Sequence, residues 1–136
     1  MDSQERECKV KACLEAADIY AALATKEGVL PRPPYIAIGL FACELYMKGL
    51  LMMRSKEGRY AHTHNLHELF QALPMADQQK VENAYAAQCL EKSLCDFLSE
   101  NAEGFEKWRY DFEKKEMEIS HSELMAAIDA FRTNAK

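Results

Sequence analysis

The chain has 136 residues, enough for one domain with an apolar core, and its formal net charge is −5. The acidic balance argues against a broadly basic nucleic-acid clamp, while a local basic cleft stays compatible with it. Five cysteines without a CxxC pair argue against a disulfide framework or a zinc ribbon and indicate a reducing compartment. No apolar signal-peptide core follows the charged N-terminus, so we expect a cytoplasmic protein.

The first predicted helix covers about residues 3–25, where apolar residues recur every three or four positions. Its apolar stripe consists of Val10, Leu14, Ala17, Ala21 and Ala24. Ile19, Tyr20 and Leu23 are expected to widen this stripe. Gly28 and a cluster of three prolines then end the helix, because prolines cannot continue it.

The stretch 35–54 is apolar on nearly every side, which predicts a buried helix at the centre of the domain. Two charges, Glu44 and Lys48, interrupt it and argue against a membrane-spanning helix. They stand four residues apart with the glutamate first, so one helix face carries both. The pair is either a structural ion pair or part of a cleft where Lys48 attracts phosphate and Glu44 orients it or an arginine.

Two helices are predicted after the polar connector that follows the central helix. Asn65 and Glu68 have the spacing of a capping box, which predicts a short helix that Pro74 ends. Asp77 is the candidate N-cap of a long helix that runs to about Leu98.

The last part of the chain carries two further predicted helices. The first of them has Phe105, Trp108 and Phe112 as core residues. Ser120 and Glu123 form a capping-box pattern for the final helix. The apolar face of that helix consists of Leu124, Ala127, Ile128 and Phe131.

The fold class follows from these segments. No stretch of the sequence alternates with period two for long enough to be a strand, and no internal repeat is evident. We therefore predict an all-α fold, a single-domain up-down bundle of five to six helices over residues 1–136. Its buried central helix is the stretch 35–54.

Arg59 and His64, with four residues between them, have the side chains for metal-free phosphodiester chemistry. The histidine would act as a base on a ribose 2′-OH, since imidazole titrates near neutrality. The guanidinium would hold the phosphate and its developing negative charge. The alternative is a solvated loop arginine followed by a histidine at a helix start.

A zinc site built from His62, His64 and His67 is a weaker alternative, because a metal site needs further oriented ligands that the sequence does not show. We therefore predict neither a metal nor a cofactor. Arg109 and Tyr110 lie beside core residues of the fifth helix, where they either pack inward or reach a cleft or partner. The sequence has no Gly-rich phosphate loop, GxSxG or HExxH motif.

The order of these segments resembles the HEPN family of helical domains (higher eukaryotes and prokaryotes nucleotide-binding). The resemblance rests on the ELxxKxLL-like run at 44–51, the HxLxxLF run at 64–70 and the tryptophan-arginine-tyrosine patch at 108–110, and it covers about residues 8–130. It implies an up-down helical bundle, commonly homodimeric, in prokaryotic toxin–antitoxin, abortive-infection or nucleotidyltransferase-associated systems. Active members are metal-independent ribonucleases with an Arg-x4-6-His motif, which two copies bring together across the dimer.

The leading hypothesis is a HEPN-like homodimer of a prokaryotic defence or stress system that binds a nucleotide, RNA or a partner protein through a cleft. The residues expected at this cleft are Glu44, Lys48, His64 and Arg109, with Arg59 and Tyr110 nearby. One alternative is a ribonuclease toxin with His64 as base and Arg59 or Arg109 on the phosphate. Another is a purely structural dimer module. The resemblance implies a cognate antitoxin or a nucleotidyltransferase as partner, and no membrane.

Overall fold

The computed structural model describes residues 3–28, 32–55, 63–88, 92–103 and 121–135. Within these ranges the chain forms six α-helices and no β-strand, which confirms the all-α prediction. The helices are α1 Ser3–Ala24, α2 Pro33–Arg54, α3 Leu66–Ala72, α4 Met75–Ala86, α5 Leu94–Glu100 and α6 His121–Asn134. The helix predicted around Phe105, Trp108 and Phe112 lies outside the described residues, as does Ser120.

Helix α2 is the buried centre of the bundle, as predicted. Its first two positions are Pro33 and Pro34, where a missing N–H interrupts no hydrogen bond within the helix. By length and composition Pro34–Arg54 is apolar enough to cross a membrane, but 72% of its apolar window is buried inside the bundle. This burial is the behaviour of a core helix that other helices surround. Its fully buried side chains include Ile36, Leu40, Cys43, Met47 and Leu50.

Small residues allow α1 to pack closely along α2. Ala17, Ala21 and Ala24 are completely buried, and each presents only a methyl group to the neighbouring helix. A Cβ atom added at Gly49 would lie 2.5 Å from Cδ2 of Leu14, so glycine leaves the space that the Leu14 side chain occupies. The two helices run antiparallel, since Arg6 near the start of α1 donates a hydrogen bond of 3.0 Å to the backbone carbonyl of Ser55, directly after α2.

The prediction that Ile19 and Leu23 widen the buried stripe of α1 is wrong. Their exposed fractions are 62% and 44%, because the alanine stripe already fills the contact with α2 and turns both residues toward solvent. Tyr20 does pack inward, with its ring centroid 5.2 Å from that of Phe41. Helix α1 is therefore attached to the bundle by one narrow face.

The single long helix predicted over 77–98 is also wrong, because α4 and α5 are separate helices. Ser93 is the N-cap of α5, and its hydroxyl accepts a hydrogen bond of 3.1 Å from the amide of Asp96. The carboxylate of Glu82 accepts the first two amides of α5, at 3.4 and 3.1 Å. A side chain of α4 thus satisfies N–H groups that a helix start leaves without partners.

Asp77 has a different role from the predicted N-cap. Pro74 occupies the N-cap position of α4, and Asp77 lies in the first turn with 5% of its surface exposed. Its two carboxylate oxygens accept bonds of 2.9 and 3.0 Å from Nε and Nη2 of Arg54. Donating these hydrogen bonds to the Asp77 carboxylate raises the pKa of Arg54. The bidentate pair connects the end of α2 to α4.

The cap predicted for α3 is confirmed, with one change. The side chain of Asn65 accepts the amide of Glu68 at 3.0 Å. In a capping box the glutamate side chain would accept a hydrogen bond from the amide of Asn65. Here the hydroxyl of Thr63 accepts that hydrogen bond and donates one to the Glu68 carboxylate. The predicted apolar face of α6 is confirmed as well: α6 packs on α2 and α4, and the Phe131 ring meets Phe70 edge-on.

Candidate functional site

Three polar side chains, Glu44, Lys48 and His64, converge where α3 begins beside α2. The Oε2 atom of Glu44 lies 2.8 Å from Nζ of Lys48 and 2.8 Å from Nδ1 of His64. Glu44 and Lys48 meet because they are four residues apart on α2. His64 reaches them because it directly precedes Asn65, whose cap fixes the start of α3. We call these three residues the α2–α3 cluster.

The hydrogen bonds assign the tautomer of His64. An ionised carboxylate only accepts hydrogen bonds, so the short contact with Glu44 places a proton on Nδ1. The Lys48 ammonium, 3.4 Å from the same nitrogen, therefore donates to Glu44 and not to the ring. In the neutral imidazole, Nε2 is then left as the basic nitrogen.

Exposure differs strongly among the three members of the cluster. The exposed fractions of the side chains are 2% for Glu44, 11% for Lys48 and 65% for His64. A carboxylate buried this deeply is costly unless cations and hydrogen bonds compensate it, and Lys48 and His64 provide both. The cluster therefore combines a buried carboxylate with an exposed imidazole, whose orientation is fixed by the hydrogen bond to that carboxylate.

Cys13 is a neighbour of the cluster that the sequence did not reveal. Its thiol donates a hydrogen bond of 3.1 Å to the backbone carbonyl of Leu45, one residue after Glu44. Burial raises the pKa of the Cys13 thiol, and the nearby Lys48 ammonium partly counteracts this effect. Only the antiparallel packing of α1 on α2 places Cys13 there.

Most of the remaining predicted site residues lie in parts of the chain that the structure does not describe. Arg59, Arg109 and Tyr110, expected at the same cleft, lie outside the described residues. The proposed zinc ligand His62 lies outside them as well. Within the described part of the chain, no group of three His, Cys, Asp or Glu side chains could hold a metal ion.

His67 belongs to a second polar contact, separate from the α2–α3 cluster. Its Nε2 atom lies 3.4 Å from Sγ of Cys95 at the start of α5. Burial raises the pKa of the Cys95 thiol, and the carboxylates of Glu82 and Asp96 raise it further. No spacing in the sequence predicts this contact, since 28 residues separate its two members.

Comparison with protein-family models, with curated proteins and with solved structures finds no match to this chain. The resemblance to HEPN domains therefore stays a prediction.

Proposed function

We propose that this chain is a HEPN-like helical module that binds RNA or a nucleotide through the α2–α3 cluster. The observation that supports it is the convergence of an ammonium and an exposed, oriented imidazole on one buried carboxylate oxygen. The proposal includes a cytoplasmic homodimer in a prokaryotic defence or stress system. Its cognate partner would be an antitoxin or a nucleotidyltransferase, as the resemblance implies.

The chemistry of His64 suits a ribose phosphate. Its neutral ring accepts a hydrogen bond at Nε2 from a hydroxyl group such as the ribose 2′-OH, and its protonated ring donates to a phosphate oxygen. Lys48 adds a positive charge 3.4 Å from the ring. Charge-assisted bonds of this kind are the strong ones in phosphate recognition. A ribonucleotide carries both groups next to each other.

Binding is measured by the fluorescence anisotropy of a labelled single-stranded RNA oligonucleotide, with ATP as competitor and EDTA present. We expect His64→Ala to weaken RNA binding about tenfold or more, since a hydrogen bond to a charged group contributes roughly 1.5–3 kcal/mol. His67→Ala is the matched control, because His67 contacts Cys95 and not Glu44. It should keep the wild-type affinity.

Two results would contradict the proposal. Equal affinities of wild type and His64→Ala would remove the α2–α3 cluster from the binding surface. Wild-type protein that responds to neither RNA nor ATP, while light scattering shows a stable dimer, would favour the purely structural module.

Ribonuclease activity is the second candidate, and the bond between Glu44 and Nδ1 of His64 favours it. A carboxylate that holds one ring nitrogen leaves the other nitrogen oriented as a base. Nε2 would take the proton of a 2′-OH, whose oxygen would attack the adjacent phosphorus. The 5′-oxygen would leave with a proton from solvent, so that the products are a 2′,3′-cyclic phosphate and a 5′-hydroxyl.

Cleavage of mixed RNA in EDTA tests this second candidate. We expect wild-type cleavage that falls at least 100-fold in His64→Ala, the usual contribution of a general base being roughly 10²–10⁴. The control is again His67→Ala, which should cleave as wild type does. Intact RNA with wild-type protein would exclude this activity, and cleavage that persists in His64→Ala would show that another residue is the base.

A further inference from the structure

Helix α1 carries a second apolar face on the side away from α2. Ala12, Ala16, Ile19 and Leu23 follow one another at intervals of four, three and four residues, which places them on one side of the helix. This face lies roughly 140° around the helix from the buried alanines that contact α2, since a turn has about 3.6 residues. We call these four residues the outer stripe.

The outer stripe is open to solvent. Ala12, Ile19 and Leu23 are exposed, and Ala16 is partly exposed. Ile19 and Leu23 are two of the three large apolar side chains that the described part of the chain exposes; the third, Met75, lies on α4. Single exposed apolar residues are common on protein surfaces, whereas a contiguous apolar patch marks an interaction site.

The order of small and large side chains in the outer stripe fits a second copy of the same helix. Two copies of α1 can lie antiparallel about a two-fold axis that passes between residues 17 and 18. Ala12 then faces Leu23 of the second copy, and Ala16 faces Ile19 of the second copy. Each layer of this contact combines one methyl group with one large side chain, so the spacing of the two helices is even and no gap is left.

A parallel pair of α1 helices would not pack in this way. Each residue would face its own counterpart, and the large Ile19 and Leu23 layers would hold the helices apart where two alanines meet. The two helix dipoles would also point in the same direction. An antiparallel pair instead places helix ends of opposite partial charge next to each other. The sequence of the outer stripe therefore favours the antiparallel arrangement.

We propose that the outer stripe is the contact surface of a homodimer in which two copies of α1 pack antiparallel. The inference deepens the homodimer that the proposed function includes, and it rests on that part of the proposed function. A standard interface has about 20–30 residues a side, so a contact centred on four residues gives a weak dimer with a dissociation constant on the order of 10 µM. No residue of the α2–α3 cluster belongs to the outer stripe, so dimerisation and RNA binding can be measured separately.

Sedimentation velocity of the reduced protein, without RNA and at concentrations below and above this dissociation constant, tests the contact. We expect Leu23→Lys and Ala12→Glu each to weaken association about tenfold or more, because each places a charge in an apolar contact. Met75→Lys is the matched control, since it changes an exposed apolar side chain on another helix, and it should dimerise as wild type does. Circular dichroism checks that each variant is folded.

The double variant Ala12→Glu/Leu23→Lys tests the antiparallel arrangement. In an antiparallel pair each new glutamate faces a new lysine of the second copy, so the double variant should associate at least about threefold more tightly than either single variant. In a parallel pair the two glutamates would face each other, as would the two lysines, and association would weaken further.

Three results would overturn the proposal: a wild type that stays monomeric at every concentration, single variants that dimerise as wild type does, or a double variant that associates no better than the single variants. None of these results bears on the RNA affinity of His64→Ala relative to wild type, which tests the binding function separately.

Discussion

Replacing Glu44 with leucine is expected to lower the free energy of unfolding by about 3–5 kcal/mol, because breaking a buried ion pair leaves a buried charge without its partner. The side chain of Lys48 is only 11% exposed, and its ammonium donates to Glu44 at 2.8 Å. His64 loses the same acceptor oxygen. Urea unfolding followed by circular dichroism measures the change.

The double variant Glu44→Leu/Lys48→Met should regain most of this loss. Replacement of a whole buried ion pair by apolar residues of similar volume is often neutral or stabilising. We expect a free energy of unfolding within about 1 kcal/mol of wild type. A double variant that is as unstable as Glu44→Leu would show that these charges have a structural role beyond compensating each other.

The matched control is Glu15→Leu, which breaks another pair with a lysine four residues away. Glu15 lies 4.0 Å from Lys11, and both side chains are mostly exposed. Exposed pairs contribute little, so its free energy of unfolding should change by less than about 0.5 kcal/mol. An equal loss in Glu15→Leu and Glu44→Leu would refute the argument from burial. The stable double variant also separates folding from function, because it should fold and yet lose RNA binding.

The second large effect is a fall in stability at alkaline pH that originates at Cys43. Burial in the centre of α2 raises the pKa of the Cys43 thiol from 9.0 to about 12. A raised pKa means that the folded state holds its proton at a pH where the unfolded state loses it. The stabilising contribution is therefore complete below about pH 9 and is lost as the pH rises toward 12.

Each pH unit in this window should lower the free energy of unfolding by an amount on the order of 1 kcal/mol. Burial and the hydrogen bond to Asp18 raise the pKa of Tyr46 as well, so Tyr46 adds to the fall at higher pH. Urea unfolding at several pH values between 8 and 11 should give a shallower slope for Cys43→Ala than for wild type.

Cys8→Ala serves as the control for the alkaline series, because it removes an exposed thiol from α1. It should keep the wild-type slope of stability against pH. If Cys43→Ala left that slope unchanged, the thiol would be more accessible than its position in α2 implies. Ellman's reagent provides an independent check, since it should modify Cys8 in the native protein and Cys43 only after unfolding.

Local signals in the sequence were sufficient for most of the helices. The unbroken apolar stretch predicted the burial of α2, and the Asn65 cap predicted the start of α3. The break between α4 and α5 was not predicted, because the Glu82 side chain that helps to begin α5 comes from a different helix. The exposure of Ile19 and Leu23 was missed for a similar reason, since α2 decides how wide the buried face of α1 is.

The α2–α3 cluster and the contact between His67 and Cys95 also could be predicted only in part from the sequence. Glu44 and Lys48 form a contact that the sequence by itself determined, because a separation of four residues places two side chains on one face of any helix. Only the tertiary structure decided that His64 turns toward Glu44 while His67, three residues later, turns toward Cys95. Periodicity states which faces of a helix are apolar. It does not state which helix packs against which face, because that choice depends on contacts between residues far apart in the chain.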